Sequence, residues 1–229
     1  MTAIVIQVAM DEEAQPFLDA AREVSEPIPV GRAVHRGIVL GGATVVLVVS
    51  GIGMVNAADA AVGALHRYGP EGVILVSAGS AGGLAADARV GDVVVGGSVV
   101  NLDADARAFG YALGQVPGMP ASYAADPALV AALAGGAGPV REAAMGSGEK
   151  FVTTELAHVL RQDFPAVRTV DMETAAIAQI AHNHGVRFAA CRAISDLCAP
   201  DSGEFATHID DAAARSARVV IDALTRLAA

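Results

Sequence analysis

Charge is scarce in this sequence. Only 17% of its 229 residues are charged, while 53% are hydrophobic, which argues against intrinsic disorder and predicts a large buried core. Basic residues are scarcer still: 15 Lys and Arg stand against 25 Asp and Glu, a formal net charge of -10. With no basic excess to displace counterions from phosphates, a nucleic acid polymer is a poor partner, although a single nucleoside is not. The two cysteines, Cys191 and Cys198, make no disulfide framework. They have no partners at zinc-ligand spacing, and His182 and His184 lie on different faces of a helix, so no metal is expected. No Gly-x-Ser-x-Gly elbow is present, which removes the signal of a Ser-His-Asp hydrolase. No basic region precedes the N-terminal apolar stretch, so that stretch does not read as a signal peptide. Residues 37–58 carry no charge and are long enough to span a bilayer. Gly41, Gly42, Ser50, Gly51 and Gly53 cut them into short strands and turns, the pattern of buried sheet. The chain is expected to be soluble and cytoplasmic, with no membrane contact.

What is present is a succession of short apolar runs. Those near Ala3–Val8, Thr44–Val49, Gly72–Ala78, Asp92–Val99, Arg141–Met145 and Arg187–Ile194 read as strands, most of them apolar throughout, as strands covered on both faces are. Asp11–Val24, Val55–Tyr68, Pro127–Ala134, Glu173–His184 and Phe205–Leu227 read as helices. Asp126 before Pro127 is an N-cap aspartate with proline at the first helical position, and Gly185 is a plausible C-cap. Alternating strands and helices predict a single α/β domain over residues 1–229, a three-layer sandwich whose central sheet is mixed but mostly parallel.

Acids stand where apolar runs end. Asp11, Glu12 and Glu13 follow the first run, Asp171 and Glu173 follow Val170, and Asp196 follows Ile194 and Ser195. Ligands bind at the carboxyl ends of strands in open α/β sheets, so Glu13, Glu173 and Asp196 can share one pocket. Each alone reads equally as a helix-start carboxylate or a cap; three beside two glycine-rich turns, Ser50–Gly53 and Gly79–Gly83, point to acid/base chemistry on a polar small molecule. Ser50–Gly53 falls short of a dinucleotide fingerprint because Asn56 stands at the third glycine position. Gly146–Lys150 lacks the Gly-Lys-Ser/Thr ending of a phosphate loop.

These motifs, taken in order, resemble a family. Ala9–Glu13, Ser50–Gly53, Gly79–Gly83, Val90–Val95, Asp171–Ala175 and Arg192–Asp196 are similar to the bacterial 5′-methylthioadenosine/S-adenosylhomocysteine nucleosidases, within the purine nucleoside and uridine phosphorylase superfamily. Residues 103–118 look like the nucleosidase branch. The resemblance spans essentially the whole chain and implies hydrolysis of the N-glycosidic bond of an adenine nucleoside, without a cofactor.

By that resemblance Glu13 deprotonates the attacking water and Asp196, oriented by Ser195, protonates adenine. Glu173 holds the ribose hydroxyls and Met172 lies against the sugar. Phe151 stacks on the base, backbone groups of Val152 read its edge, and Ser80 and Arg192 line the pocket near the water. Met10, Ile52 and Phe205 form the wall for the 5′-substituent. Residues 101–126 read as a long loop, of a length that is usually functional in a compact domain, or as a surface loop held by its own aromatics; the resemblance implies a homodimer in which Phe109 and Pro117 contact the partner's ligand. Phosphorylases of this superfamily hold phosphate with arginines at the first strand's exit and in the Gly79–Gly83 turn, where this chain has none, so water is the expected nucleophile. Two departures, Glu149-Lys150 and the segment after Asp196, bear on the preferred 5′-substituent. The alternatives are a 6-amino-6-deoxyfutalosine nucleosidase and a silent nucleoside-binding protein of the same fold.

Overall fold

The computed structural model describes residues 3–136, 139–198 and 203–228. Among them run ten strands: β1 (Ile4–Val8), β2 (Ile28–Val30), β3 (Ala33–Leu40), β4 (Ala43–Val49), β5 (Ile74–Gly83), β6 (Val93–Asn101), β7 (Tyr123–Ala124), β8 (Val140–Ser147), β9 (Val167–Asp171) and β10 (Arg187–Asp196). Six helices join them: α1 (Asp11–Ala20), α2 (Met54–Tyr68), α3 (Pro127–Ala134), α4 (Thr154–Asp163), α5 (Thr174–His184) and α6 (Gly203–Ala228). The mixed α/β architecture expected from the alternation of runs is present.

The sheet follows the order β10-β6-β8-β9-β5-β1-β4-β3-β2, and β10 also pairs with β5. That extra pairing closes β5, β9, β8, β6 and β10 into a small barrel, from which β1, β4, β3 and β2 fan out. Parallel ladders join β1 to β4 and β5, β10 to β5, and β8 to β6 and β9. Between these strands, antiparallel pairing joins the β2–β3–β4 edge, β7 to β6, and the β5–β9 and β6–β10 closures. Valine-, isoleucine- and alanine-rich strands suit this arrangement because the sheet is covered on both sides. Helix α6 packs against β10, β5, α1 and α3, while α2 packs on α5. One large core runs through these layers, and a smaller cluster around Leu84, Leu160 and Val170 lies beneath α4.

Several boundaries differ from expectation. Helix α1 ends at Ala20 rather than Val24, because residues 22–25 are drawn into pairing with β3: Arg22 N–H donates to Val39 O at 3.0 Å and Ser25 N–H to Gly37 O at 2.8 Å. Strand β5 does not stop at Ala78 but continues through Gly83, paired with β10 and β9. The Gly79–Gly83 segment is therefore strand, not turn. Strands β2, β3, β7 and β9 and helix α4 lie outside the runs read as strands and helices in the sequence. Residues 101–126 start at the last residue of β6 and hold a 3₁₀ turn at Arg107–Phe109, an isolated bridge between Asp105 and Leu113, and the two residues of β7. Of the altered segment after Asp196, residues 199–202 lie outside those described. Among the described residues no helix is long and apolar enough to cross a membrane.

The caps of α3 and α5 follow their sequence signals. Asp126 Oδ1 accepts the N–H groups of Ala128 and Leu129, each at 3.0 Å, and Gly185 ends α5 in the left-handed region at φ 63°. Arg187 donates to the same aspartate at 2.7 and 3.0 Å, and those bonds hold the Asp126 carboxyl down at about 2. Asp126→Ala should cost about 1 kcal/mol of stability at neutral pH, read from urea denaturation. Because the folded pKa is depressed, the difference between wild type and variant should shrink as pH falls from about 4 toward about 2; an unchanged midpoint at pH 7 would refute the cap.

Candidate active site

The carboxyl ends of β1, β5, β8, β9 and β10 converge, since Asp196 lies beside Gly82, Val170 opposite Gly82, and Ser147 beside Asp171. A cleft lies there. It is lined by Glu13, Ser80, Arg192, Glu173, Ser195 and Asp196 in its depth, and by Met10, Ile52, Phe151, Val152, Met172 and Phe205. The structure thus brings to one place every residue expected to meet substrate from within the chain. Phe109 and Pro117 are elsewhere, both exposed, and do not line this chain's own cleft.

Glu13 is 1% exposed because α1 begins immediately beyond the end of β1 and its first turn folds back over the sheet. Its Oε2 accepts the Ala9 N–H at 2.8 Å. Its Oε1 accepts the N–H and the hydroxyl of Ser80, at 2.8 and 3.0 Å. Arg192, in the middle of β10, is also buried, and its Nη1 lies 3.7 Å from that same Oε1. The guanidinium further approaches Asp171 Oδ2 at 3.3 Å and Glu173 Oε2 at 3.6 Å. It donates to Ser77 Oγ at 2.9 Å, to Thr174 Oγ1 at 3.1 Å and to Ser80 O at 3.2 Å. Burial acts to lower the Arg192 pKa, but the carboxylates of Asp171, Glu173 and Glu13 outweigh it and the net shift is upward.

Gly79 makes this contact possible. Its φ of +143° suits glycine, and a Cβ there would stand 2.3 Å from Glu13 Oε1 and 2.8 Å from Arg192 Nη1. Any side chain would occupy the space where acid and guanidinium meet.

Glu173 Oε1 accepts the Gly53 N–H at 3.0 Å. Burial pushes its pKa up to about 7; Asp171 and Glu13 push the same way, while Arg192 and the Gly53 N–H oppose them. Asp171, which sequence reasoning gave no role, organises this corner. Its Oδ1 accepts the Ser147 hydroxyl at 2.6 Å and the N–H groups of Glu173 and Thr174 at 3.0 and 2.9 Å. The available signal was an acid directly before a helix start, the pattern of a cap.

Asp196 is 4% exposed. Its Oδ1 accepts the Cys198 N–H at 2.9 Å, and its Oδ2 lies 2.9 Å from Ser195 Oγ. That hydroxyl is also 3.3 Å from Ala81 O. A hydroxyl has one proton and two lone pairs, so it can donate to Ala81 O while accepting from a proton on Asp196 Oδ2. The pair can therefore carry a proton on the aspartate without leaving a donor unmatched. At the mouth, Phe151 and Phe205 meet edge to face with centroids 6.0 Å apart. Among the described residues no group of three His, Cys, Asp or Glu is placed to hold a metal ion.

The sequence profile of the phosphorylase superfamily matches residues 3–227. A 5′-methylthioadenosine/S-adenosylhomocysteine nucleosidase of Geobacillus thermodenitrificans is 40% identical over 224 residues, 95% of this chain and 94% of that protein. The crystal structure of the nucleosidase of that name from Neisseria meningitidis, in complex with methylthio-immucillin-A, superposes with a TM-score of 0.92 at 34% identity. The match covers 99% of this chain and 100% of that one. The futalosine hydrolase of Helicobacter pylori superposes with a TM-score of 0.90 at 27% identity, over 98% of each chain.

The raised pKa of Glu173 has a consequence for stability. The folded chain holds this proton more tightly than the unfolded chain, so the contribution of Glu173 is fully present below about 4.5 and is lost as pH rises through about 7. Glu173→Gln should therefore gain melting temperature relative to wild type between pH 5 and pH 8. A difference in Tm that stays constant across that range would show that burial does not act on this carboxyl.

Proposed function

The chain belongs to the phosphorylase superfamily and, within it, to the 5′-methylthioadenosine/S-adenosylhomocysteine nucleosidases, and from that premise we propose how its cleft works. The chain is an N-glycosyl hydrolase: it cleaves 5′-methylthioadenosine and S-adenosylhomocysteine to adenine and the 5-substituted ribose. The observation that carries this reading is that two buried acids, Glu13 and Asp196, line one cleft.

Glu13 serves as the base for water. The Ala9 and Ser80 donors fix its two oxygens, so its orientation does not have to be found during the reaction. As the water attacks the anomeric carbon, its proton passes to Glu13 and the bond to adenine breaks. The electron pair of that bond leaves with the base, which takes a proton at N7 from Asp196. Ser195 stabilises the protonated and the ionised aspartate alike by changing which neighbour it donates to. Glu173 accepts the ribose hydroxyls, Met172 lies against the sugar, and Phe151 covers one face of the adenine. Backbone groups of Val152 read the base edge, Ser80 and Arg192 hold the water side, and Met10, Ile52 and Phe205 wall the 5′-substituent.

Water is favoured over phosphate by charge. Glu13, Asp171, Glu173 and Asp196 line the cleft, while Arg192 is committed to three of them and Lys150 Nζ lies 3.8 Å from Asp103. A dianion would find no free cation among these lining residues.

Beyond this, the whole chain acts as one cytoplasmic nucleosidase domain in methionine salvage, and 5′-deoxyadenosine is a further substrate. It works as a homodimer, with the exposed Phe109 and Pro117 completing the partner's 5′ pocket; Phe109 is 82% exposed, and a monomer at micromolar concentration by light scattering would defeat this.

Adenine should be released from 5′-methylthioadenosine equally with and without phosphate, alongside free methylthioribose. Release that requires phosphate would make the chain a phosphorylase; turnover of 6-amino-6-deoxyfutalosine alone would place it beside the futalosine hydrolase. Asp196→Asn should lower turnover roughly 10²- to 10⁴-fold. Glu13→Gln should abolish hydrolysis while adenine nucleosides still bind, measured by calorimetry; full activity in that variant would remove Glu13 from its role.

A further inference from the structure

Helix α2 begins without a side-chain cap of its own and without an acid in its first turn. Its leading N–H, that of Met54, is taken by Glu149 Oε1 at 3.0 Å, from 95 residues along the chain. The preceding residue, Gly53, donates its own N–H to Glu173 Oε1 at 3.0 Å. Two consecutive peptides thus face two carboxylates brought in from different elements. The φ of +103° at Gly53 aims them, and a Cβ there would stand 3.0 Å from Glu149 Oε2.

Glu149 is anchored from behind. Its N–H donates to Asp103 Oδ2 at 2.7 Å, and Lys150 Nζ lies 3.8 Å from Asp103 Oδ1. Asn101 Oδ1 in turn accepts the N–H groups of Asp103 and Ala104 at 2.9 and 3.1 Å. The macrodipole of α2 adds to the hold on the carboxylate. The segment carrying Phe151 is therefore tied to the Ser50–Gly53 turn, and that turn to Glu173.

We propose that Glu149 is a positioning residue for ribose recognition: it fixes the start of α2 so that the Gly53 N–H holds the Glu173 carboxylate in place for the sugar hydroxyls. This rests on the reading of Glu173 as the ribose-holding acid. Glu149 touches no reacting atom and acts through the Gly53 peptide. Without it, the Gly53 N–H drifts and Glu173 is left to Arg192 and to the Met172 N–H, 3.3 Å from its Oε2. Preference for a ribose hydroxyl then fails before bond cleavage does.

The test compares kcat/KM for 5′-methylthioadenosine and its 2′-deoxy analogue in wild type, Glu149→Ala, Glu149→Gln and Glu173→Ala, with Tm recorded for each. Glu149→Ala should lose roughly 10- to 100-fold on the ribonucleoside and far less on the deoxy analogue, so that its selectivity approaches that of Glu173→Ala. Glu149→Gln keeps the acceptor oxygen and should retain selectivity. Glu149→Thr, too short to reach Met54, replaces the alanine variant should that one not fold. If breaking the contact slows both substrates alike, or lowers Tm alone, Glu149 is a helix cap only and the proposal is overturned. If Glu173→Ala itself leaves selectivity unchanged, the ribose role of Glu173 is what fails, and the proposal falls with it.

Discussion

The buried Arg192 guanidinium is the constraint around which the cleft is arranged. An ion of this kind loses several kcal/mol on leaving water, and only close partners of opposite charge with good hydrogen bonds offset that loss. Here the partners come from three directions: Glu13 from the start of α1, Asp171 from the end of β9, and Glu173 from the start of α5. Ser77, Thr174 and the Ser80 carbonyl take its remaining N–H groups. Such a cluster is weak support for stability, since apolar residues of the same volume often serve as well. Its effect is on geometry. One planar fork sets where three carboxylates stand, and removing any of them leaves a charge in the interior without its counterpart.

The barrel closure is what lets those directions meet. In an open sheet β9 and β10 would lie on opposite sides of β5 with their ends diverging under the usual twist. Pairing β10 to both β5 and β6 turns the strand ends inward, so Asp196 and Asp171 flank the same stretch of β5. Strand β5 has to be thin there. Glycine at position 79 leaves room for Glu13 and Arg192 to meet. The segment that reads as a glycine-rich turn in sequence is a strand paired on both sides.

How far the sequence reveals this follows from the kind of signal each feature leaves. Buried parallel strands appear as unbroken apolar runs, and an acid at the end of such a run is visible without coordinates; Glu13, Glu173 and Asp196 were legible for that reason. The α3 cap was legible because Asp-Pro is a local signature. Strand β3 was obscured because His35, Arg36 and Gly37 interrupt its apolar pattern. Helix α4 does carry a threonine, Thr153, at its N-cap position, but that side chain makes no cap bond. The early end of α1 is a tertiary effect, invisible to helix periodicity, because β3 competes for residues 22–25. Ser77 and Thr174 escaped notice, and Asp171 stood out only as an acid at a run's end, because an apolar pattern does not show which polar side chain turns toward a buried cation. Glu149 looked only like a departure from a familiar motif, and its partner at the start of α2 is set by the fold.

The same distribution of charge connects the resting fold to the reaction. In glycosyl cleavage the sugar passes through an oxocarbenium-like state, positive at the anomeric carbon, while the base turns negative. Four carboxyl groups against one fully engaged guanidinium give a cleft that resists an anionic nucleophile and attracts a cationic sugar. Because its dipoles and charges are fixed by folding, no reorganisation is needed when the positive charge appears. Arg192 moderates this arrangement by holding Glu13, Asp171 and Glu173 in place. It also opposes the rise that burial imposes on Glu173, whose pKa stands at about 7. The roles proposed for these carboxyls, a base at Glu13, a proton donor at Asp196 and an acceptor for ribose at Glu173, are three different demands on one functional group. They are met by giving each carboxyl different neighbours: peptide and hydroxyl donors for Glu13, the Ser195 hydroxyl and the Cys198 N–H for Asp196, and the Gly53 and Met172 N–H groups within a buried, acid-rich corner for Glu173.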